Sequence, residues 1–284
     1  MIRLAVRVAR ANADSALAEL LSFSPAGVEE IDDDPDTIEY VLYGASGELP
    51  SLHALKASVG DALVEVSTSE IADDWSSRWR SFHQPIEIAG RLYVRPPWHP
   101  PPRNGALLDI VIDPGQAFGT GSHATTRLCL EYLAALAGAG EARGALLDLG
   151  TGSGVLAIAA AKLGFSPVSG VDHEIESVAA ARENAAVNGV AVECSRLDLL
   201  RDELPVAPTM TANLLAPLLL DLARRLPAPP ARLIASGLLT NQLDEVAAAF
   251  EHRHGMAERT RRHEGEWSAL LLEDAAGGRI LSRV

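Results

Sequence analysis

The chain has 284 residues, of which 48% are hydrophobic and 22% are charged, a composition typical of a globular protein with a sizeable core. No apolar run approaches the roughly 20 residues that a membrane span requires, and two cysteines, Cys129 and Cys194, are too few for a disulfide framework. A net charge of −14 disfavours binding to bare nucleic acid, because that binding uses Lys and Arg to neutralise phosphates. We therefore expect a cytoplasmic protein whose acidity either attracts a basic partner or only keeps the chain soluble.

Residues 1–70 are predicted to form a small α+β domain. Alternating apolar and polar residues at the N-terminus indicate a strand rather than a signal peptide. Strands are predicted at residues 2–9, 28–31, 37–43 and 62–69, and helices at residues 13–21 and 49–59. This β-α-β-β-α-β order is typical of a ferredoxin-like fold. Because the segment carries no evident catalytic group, we expect it to bind a partner; a structural or oligomerisation role is the alternative.

Residues 71–105 are predicted to link this domain to a second one. The expected elements are a short helix at 73–79, a hairpin formed by 86–88 and 92–94, and a proline-rich loop at 96–102. Three tryptophans lie in this region, Trp75, Trp79 and Trp98. They either pack between the domains or line a substrate groove, and we favour packing.

Residues 106–284 alternate between predicted strands and helices. The strands are expected at 106–112, 145–149, 168–171, 190–194, 209–214, 233–236, 259–263 and 268–272, and the helices at 125–137, 155–163, 174–188, 216–226 and 241–251. Regular alternation of this kind predicts a doubly wound α/β sheet, in which ligands bind at the carboxyl ends of the strands.

A glycine-rich turn follows the strand predicted at 145–149. Asp148 precedes Gly150, Gly152 and Gly154, and an apolar helix is expected to begin at Val155. Glycines let a ligand approach the backbone, and a helix N-terminus offers N–H groups to an anion. The dinucleotide fingerprint and the Walker motif are both excluded, because Val155 replaces the third glycine of the former and no lysine directly follows the turn.

Asp172 ends the next predicted strand, where a carboxylate can accept two hydrogen bonds from a ribose diol. Together, Asp148, the three alternating glycines and Asp172 resemble the first two motifs of the class I S-adenosylmethionine-dependent methyltransferases. The resemblance implies that the turn holds the methionine end of the cofactor and that Asp172 holds its ribose.

A second glycine-rich stretch, residues 113–126, reads D-P-G-Q-A-F-G-T-G-S-H-A-T-T and precedes a predicted helix. Phe118 can cover an adenine or a substrate alkyl chain, and Thr125 and Thr126 are predicted to cap the helix and offer a hydroxyl to a ligand. An ordinary loop capped by a threonine is the alternative. The stretch resembles the signature of the ribosomal protein L-eleven methyltransferases, the PrmA family, and the likeness continues from about Trp75 to the end of the chain.

The family resemblance implies a seven-stranded, doubly wound, Rossmann-like methyltransferase domain, preceded by a ferredoxin-like substrate-recognition domain. It also implies cofactor contacts from residues that match the motifs. The predicted cofactor site comprises Thr126, Phe118, Gly119, Asp148, Gly150, Gly152, Asp172 and Asn213. The chain departs from the family pattern at three places, with Ala124 for Pro, His173-Glu174 for Ile-Asp-Pro, and Pro229-Pro230-Ala231 for Pro-Gly-Gly. None of these removes a predicted contact.

Asn213 is the predicted catalytic residue, because it ends the strand that faces the transferred methyl in the resemblance. Nucleobase methyltransferases carry an aromatic residue shortly after this position, to stack on an extruded base. Here Leu214, Leu215 and Ala216 follow, which favours an aliphatic amine as the acceptor. His123 is an alternative proton acceptor, or only a hydrogen-bonding group. His252 and His254 lack acidic or Cys partners at a suitable spacing, so no metal site is expected.

The substrate implied by the resemblance is a basic ribosomal protein of the large subunit, methylated on lysine side chains or on its N-terminal amine. The alternatives are the lysines of another protein, a small-molecule amine, or a non-catalytic cofactor-binding factor. We expect no direct contact with nucleic acid or membrane, and we favour a monomer.

Overall fold

A computed structural model of the chain describes residues 2–21, 23, 28–32, 34–44, 49–70, 83–114 and 121–274. The chain divides into two compact units, Met1–Phe82 and His83–Val284. The second unit therefore begins well before residue 106, where the sequence places its start. The helix predicted at 73–79, with Trp75 and Trp79, lies outside the described residues.

The N-terminal unit contains a four-stranded antiparallel sheet in the order β2-β3-β1-β4. Side chains alternate along β1, so that Leu4, Val6 and Val8 are buried in a cluster with Leu20 and Leu55 of the two helices. The predicted elements are all present; β1 and α1 have the predicted bounds and the other four have shifted ends, so that α2, for example, begins at Leu52 rather than at residue 49. The elements are β1 Ile2–Ala9, α1 Ala13–Leu21, β2 Glu29–Ile31, β3 Thr37–Gly44, α2 Leu52–Val59 and β4 Leu63–Glu70.

The second unit opens with a three-stranded sheet formed by β5 (Ile86–Ile88), β6 (Leu92–Arg95) and β7 (Leu108–Val111). The strand predicted at 106–112 is β7, and its expected place in the main sheet is wrong. It pairs in parallel with β6, and the register is held by Arg95, whose guanidinium donates to both carboxylate oxygens of Asp109 at 2.8 Å. Strand alternation indicates that β7 exists but does not identify its partner.

The main sheet has seven strands in the order β10-β9-β8-β11-β12-β14-β13. The first five are parallel, and the last two are antiparallel to their neighbours. The strand order reverses at β8, so that the carboxyl ends of β8 and β11 form a topological switch point, the usual ligand position in such sheets. The strands are β8 Leu146–Leu149, β9 Val168–Asp172, β10 Glu193–Arg196, β11 Thr209–Asn213, β12 Arg232–Leu239, β13 Met256–Glu264 and β14 Trp267–Asp274.

Helices cover both faces of the main sheet. Leu146 on β8 packs in a cluster with residues of α3 and α4, whereas Leu147 and Leu149 pack in a second cluster with residues of α6 and α7. The helices are α3 Ala124–Gly138, α4 Val155–Leu163, α5 Ile175–Val187, α6 Ala216–Arg225 and α7 Leu243–His254. Among the described residues, no helix combines the length and apolar character that a membrane crossing needs.

Gly237 allows β12 to pass close to the chain that leaves β11. Its φ is +85°, and a Cβ atom there would lie 2.5 Å from the carbonyl oxygen of Leu214. The residue falls in an irregularity of the β12–β14 pairing, between Ser236 and Leu238. Since the nearest atoms are backbone, a side chain at this position cannot be accommodated by a rotamer change.

We expect Gly237→Ala to destabilise the protein more than Gly265→Ala, which is a matched control. Gly265 has a φ of +59°, but nothing lies within 4 Å of the position its Cβ would take. The free energy of unfolding of the control should therefore fall by about 1–2 kcal/mol, because alanine is strained in the left-handed backbone conformation. The free energy of unfolding of Gly237→Ala should fall by about 1–3 kcal/mol more than that of the control, because of the steric clash. Urea unfolding measures both values, and equal losses would contradict the close approach.

Candidate active site

The glycine turn between β8 and α4 is held at the carboxyl end of β9. The N–H groups of Gly150 and Thr151 both donate to the carbonyl oxygen of Val171, at 2.9 and 3.0 Å. A Cβ on Gly150 would lie 2.7 Å from the Leu214 side chain, and one on Gly154 would lie 3.1 Å from Ala181 Cα. The turn is thus packed closely on two sides, and the positive φ angles of Gly150 and Gly154, +68° and +82°, favour glycine at both positions.

Asp172, predicted to bind a ribose, lies directly against this turn. Its Oδ2 atom accepts a hydrogen bond from Gly152 N–H at 2.9 Å, and its Oδ1 atom accepts one from Glu174 N–H at 3.1 Å. Each carboxylate oxygen has capacity for a further hydrogen bond. Asp172 can therefore hold the turn and accept from a hydroxyl ligand at the same time.

Asp148, another predicted cofactor residue, is buried and bound to two hydroxyl groups. Thr151 Oγ1 donates to its Oδ2 atom at 2.7 Å, and Thr211 Oγ1 donates to its Oδ1 atom at 2.5 Å. Burial raises the pKa of Asp148 to about 6; the two threonine hydrogen bonds oppose the shift, and the charge of Asp172 adds to it. The side chain therefore connects the turn to β11.

Asn213, the predicted catalytic residue, ends β11 and is oriented by α3. Its Nδ2 atom donates to Thr126 Oγ1 at 3.3 Å, which leaves Oδ1 as the acceptor of the amide. Thr126 is buried in the first turn of α3, and the preceding carbonyl, that of Thr125, accepts from Ser236 Oγ on β12 at 3.1 Å. The start of α3 is thereby attached to the ends of two neighbouring strands.

The N-cap of α3 is His123, so the predicted threonine cap is wrong. His123 Nδ1 accepts from Thr125 N–H at 3.4 Å, while the two threonine hydroxyls are engaged elsewhere: Thr125 Oγ1 with the same ring nitrogen and Thr126 Oγ1 with Asn213. Burial lowers the pKa of His123, the positive charge of Arg127 lowers it further, and Glu264 opposes both. The imidazole is therefore neutral at pH 7, as a cap that accepts a hydrogen bond must be.

The structure thus brings five predicted site residues to one edge of the sheet: Asp148, Gly150, Gly152, Asp172 and Asn213. Thr126 of α3 accepts a hydrogen bond from the last of these. Phe118 and Gly119 lie outside the described residues. Sequence reasoning missed the roles of Thr151, Thr211 and Asn184. Their sequence positions gave little signal: Thr151 lies among the glycines of the turn, Thr211 in the middle of β11, and Asn184 on the buried face of a helix. Within the described ranges, no cluster of three or more His, Cys, Asp or Glu side chains is arranged to hold a metal ion.

The parallel strands are added on both sides of β8, a glycine turn follows β8, and an acidic residue ends β9. These features define an α/β methyltransferase fold. The solved structure of a ribosomal protein L11 methylase from Lactobacillus delbrueckii subsp. bulgaricus is similar, with a TM-score of 0.60 and 32% identity. The match covers 68% of this chain and 99% of that one.

Sequence comparisons agree with this fold. The family model described as "Ribosomal protein L11 methyltransferase (PrmA)" matches residues 4–274. A ribosomal protein L11 methyltransferase of Geobacter metallireducens is 44% identical over 207 residues, 71% of this chain. One of Heliobacterium modesticaldum is 41% identical over 208 residues, 72% of this chain. The chain belongs to the ribosomal protein L11 methyltransferase (PrmA) family, which confirms the resemblance seen in the sequence. It spans just under two thirds of those two relatives, 66% and 65% of their lengths.

The raised pKa of Asp148 predicts a specific pH dependence of stability. Since the folded-state pKa is about 6 against an ordinary 3.8, the folded chain holds this proton more tightly than the unfolded chain. The proton on Asp148 therefore stabilises the folded chain at low pH, and this stabilisation is lost as the pH rises from about 4 through about 6. Asp148→Asn removes the titration, and its amide can still accept from one threonine and donate to the other.

The free energy of unfolding of Asp148→Asn, relative to that of the wild type, should therefore increase as the pH rises from about 4 to about 7, by up to about 3 kcal/mol. Urea unfolding of both proteins at each pH measures the difference. A difference that stays constant across this range would contradict the raised pKa.

Proposed function

We propose that the protein transfers methyl groups from S-adenosylmethionine to amino groups of ribosomal protein L11. The observation that carries this proposal is the position of Asn213 at the end of β11, the strand next to β8 and its glycine turn, with its amide oriented by Thr126. Membership of a family named for L11 methylation supports the choice of substrate. Lysine side chains and the N-terminal amine are the acceptor groups that we infer.

The residues at the edge of the sheet fit the proposed cofactor. Gly150 brings the turn close to the chain that follows β11, since a Cβ there would lie 2.7 Å from the Leu214 side chain, and the last residue of the turn, Gly154, opens α4 without a side-chain cap. Asp172 offers carboxylate oxygens suited to the two ribose hydroxyls. Gly150, Gly152 and Asp172 would hold the cofactor, with Thr126 and Asn213 beside its reactive end. When bound, S-adenosylmethionine supplies an electrophilic methyl group on a sulfonium.

Asn213 has the chemical properties needed to orient an amine nucleophile. A lysine amine must be neutral to react, and at a pKa near 10.4 its deprotonation at pH 7 costs about 4.6 kcal/mol. The Oδ1 atom of Asn213 accepts an N–H from the neutral amine and so directs the nitrogen lone pair. Because Nδ2 is bound to Thr126, this orientation is set before the substrate arrives.

The residues after Asn213 support an aliphatic acceptor. Leu215 is 53% exposed at the start of α6, and an apolar surface of this kind suits the methylene groups of a lysine side chain. None of the three residues directly after Asn213 is aromatic, so this segment has no ring to stack on a base. Lysines of another protein and small-molecule amines remain alternatives. A non-catalytic cofactor-binding factor would not need the Asn213–Thr126 pair.

We further propose that the N-terminal unit is a ferredoxin-like domain that binds the protein substrate. Its sheet order β2-β3-β1-β4 and its β-α-β-β-α-β sequence are those expected for that fold. The segment from Glu29 to Asp36, which includes β2 and the turn to β3, contains six acidic residues. This concentration of negative charge favours attraction of a basic protein. A cytoplasmic location and a monomeric state, without contacts to nucleic acid or membrane, complete the proposal.

The activity is tested by incubating the purified protein with ribosomal protein L11 and methyl-labelled S-adenosylmethionine. Peptide mass spectrometry should locate the label on lysine side chains or on the N-terminal amine of L11. The Asn213→Ala protein, prepared in parallel, controls for a contaminating methyltransferase. Label on other basic proteins but not on L11 would overturn the substrate. Cofactor binding without any transfer would favour the non-catalytic alternative.

Asn213→Ala and Asp172→Ala should separate chemistry from cofactor binding. Loss of the oriented acceptor at Asn213 should lower turnover about a hundredfold or more. Cofactor affinity should fall much less, because Gly150 and Asp172 remain. Asp172→Ala should instead weaken cofactor binding by about 1.5–3 kcal/mol, because it removes charged hydrogen bonds. Calorimetric titration and steady-state kinetics measure the two effects. Equal losses of affinity and turnover in Asn213→Ala would make that residue a binding residue only.

A further inference from the structure

We propose that Asn184 is a positioning residue that sets the glycine turn for the cofactor. The inference rests on the proposed function, because it concerns the same cofactor site. Asn184 lies on α5 and is 5% exposed. Its Nδ2 atom donates to the carbonyl oxygen of Ser153 at 2.9 Å, and its Oδ1 atom accepts from the backbone N–H of Asp113 at 3.2 Å. The amide thus joins the turn to the backbone that follows β7.

The hydrogen bond to Ser153 acts on the last peptide of the turn. That peptide connects Ser153 to Gly154, the residue that opens α4. Ala181 of α5 packs against the same place, since a Cβ on Gly154 would lie 3.0 Å from Ala181 Cβ. Ala181 limits how closely the turn approaches α5, and Asn184 determines how the final peptide is rotated.

Rotation of this peptide affects the predicted ligand contacts. Gly152 directly precedes Ser153, and its N–H donates to the same Asp172 carboxylate that is proposed to hold the ribose. A rotated turn would change both this hydrogen bond and the direction of the first N–H groups of α4. Asn184 therefore acts on cofactor binding through the backbone, without touching the cofactor itself.

Asn188, the C-cap residue of α5 and four residues after Asn184, provides a matched control. Its Oδ1 atom accepts from Val111 N–H at 2.9 Å, and its Nδ2 atom donates to the carbonyl oxygens of Val111 at 2.6 Å and Asn184 at 2.8 Å. Both asparagines connect α5 to the backbone at the end of β7. Among these contacts, only those of Asn184 reach the glycine turn.

The test measures two quantities for each variant, the melting temperature and the affinity for S-adenosylhomocysteine, the product that remains when the cofactor has lost its methyl group. Asn184→Ala and Asn188→Ala should both lower the melting temperature. Asn184→Ala should also raise the calorimetric Kd about tenfold, whereas Asn188→Ala should leave it within about twofold of the wild type. A reduced melting temperature in Asn184→Ala with an unchanged Kd would overturn the inference. So would equal changes of Kd in both variants.

Asn184→Asp keeps the inference testable if the alanine variant does not fold. A carboxylate at this position repels the Ser153 carbonyl, whereas a protonated carboxyl donates an O–H to it and still accepts from Asp113 N–H. The Kd ratio of Asn184→Asp to wild type should therefore fall towards one as the pH is lowered. A ratio independent of pH would overturn the inference. If the wild type itself failed to bind S-adenosylhomocysteine, the proposed function would be overturned as well as the inference about Asn184.

Discussion

A buried carboxylate at the centre of the main sheet connects the strands on either side of the switch point. Asp148 lies on β8, where the strand order reverses, and it accepts hydrogen bonds from Thr151 in the turn and Thr211 on β11. Burial makes its charged form costly, and the two hydroxyl groups offset part of that cost. Thr151 reaches Asp148 only because Gly170 has no side chain, since a Cβ there would lie 2.7 Å from Thr151 Oγ1. The position of the turn therefore depends on a glycine of the neighbouring strand as well as on its own.

The carboxyl edge of the sheet is organised by polar side chains, whereas the layers below it are apolar. Asp172 binds the turn, Ser236 binds the start of α3, and Thr126 accepts from Asn213. Hydrogen bonds depend steeply on angle, while dispersion contacts between apolar groups do not. The apolar layers therefore supply burial, and the polar edge supplies orientation. A reaction that joins two small groups in line depends on orientation of this kind.

Much of this arrangement is predictable because it depends on local patterns. Apolar periodicity predicts the helices and strands, and Asp172 and Asn213 are placed at one edge because parallel strands end there together. Long-range choices are not predictable in this way. The partner of β7 is β6 rather than the main sheet, and Asp148 binds Thr211, which lies far along the chain. Two adjacent threonines favour a threonine cap by composition, yet His123 caps α3 because both hydroxyl groups have other partners.

The neutral character of Asn213 fits the proposed reaction better than a carboxylate would. A carboxylate beside the incoming lysine would favour the ammonium form and raise its pKa, which would increase the cost of deprotonation. An amide oxygen accepts the same N–H without that penalty. The structural carboxylates nearby are engaged in hydrogen bonds to backbone or hydroxyl groups: Asp148 with two threonines, and Asp172 with the N–H groups of Gly152 and Glu174. In the proposed reaction, the chain uses its acids to hold the site together and an uncharged amide where the amine must lose its proton.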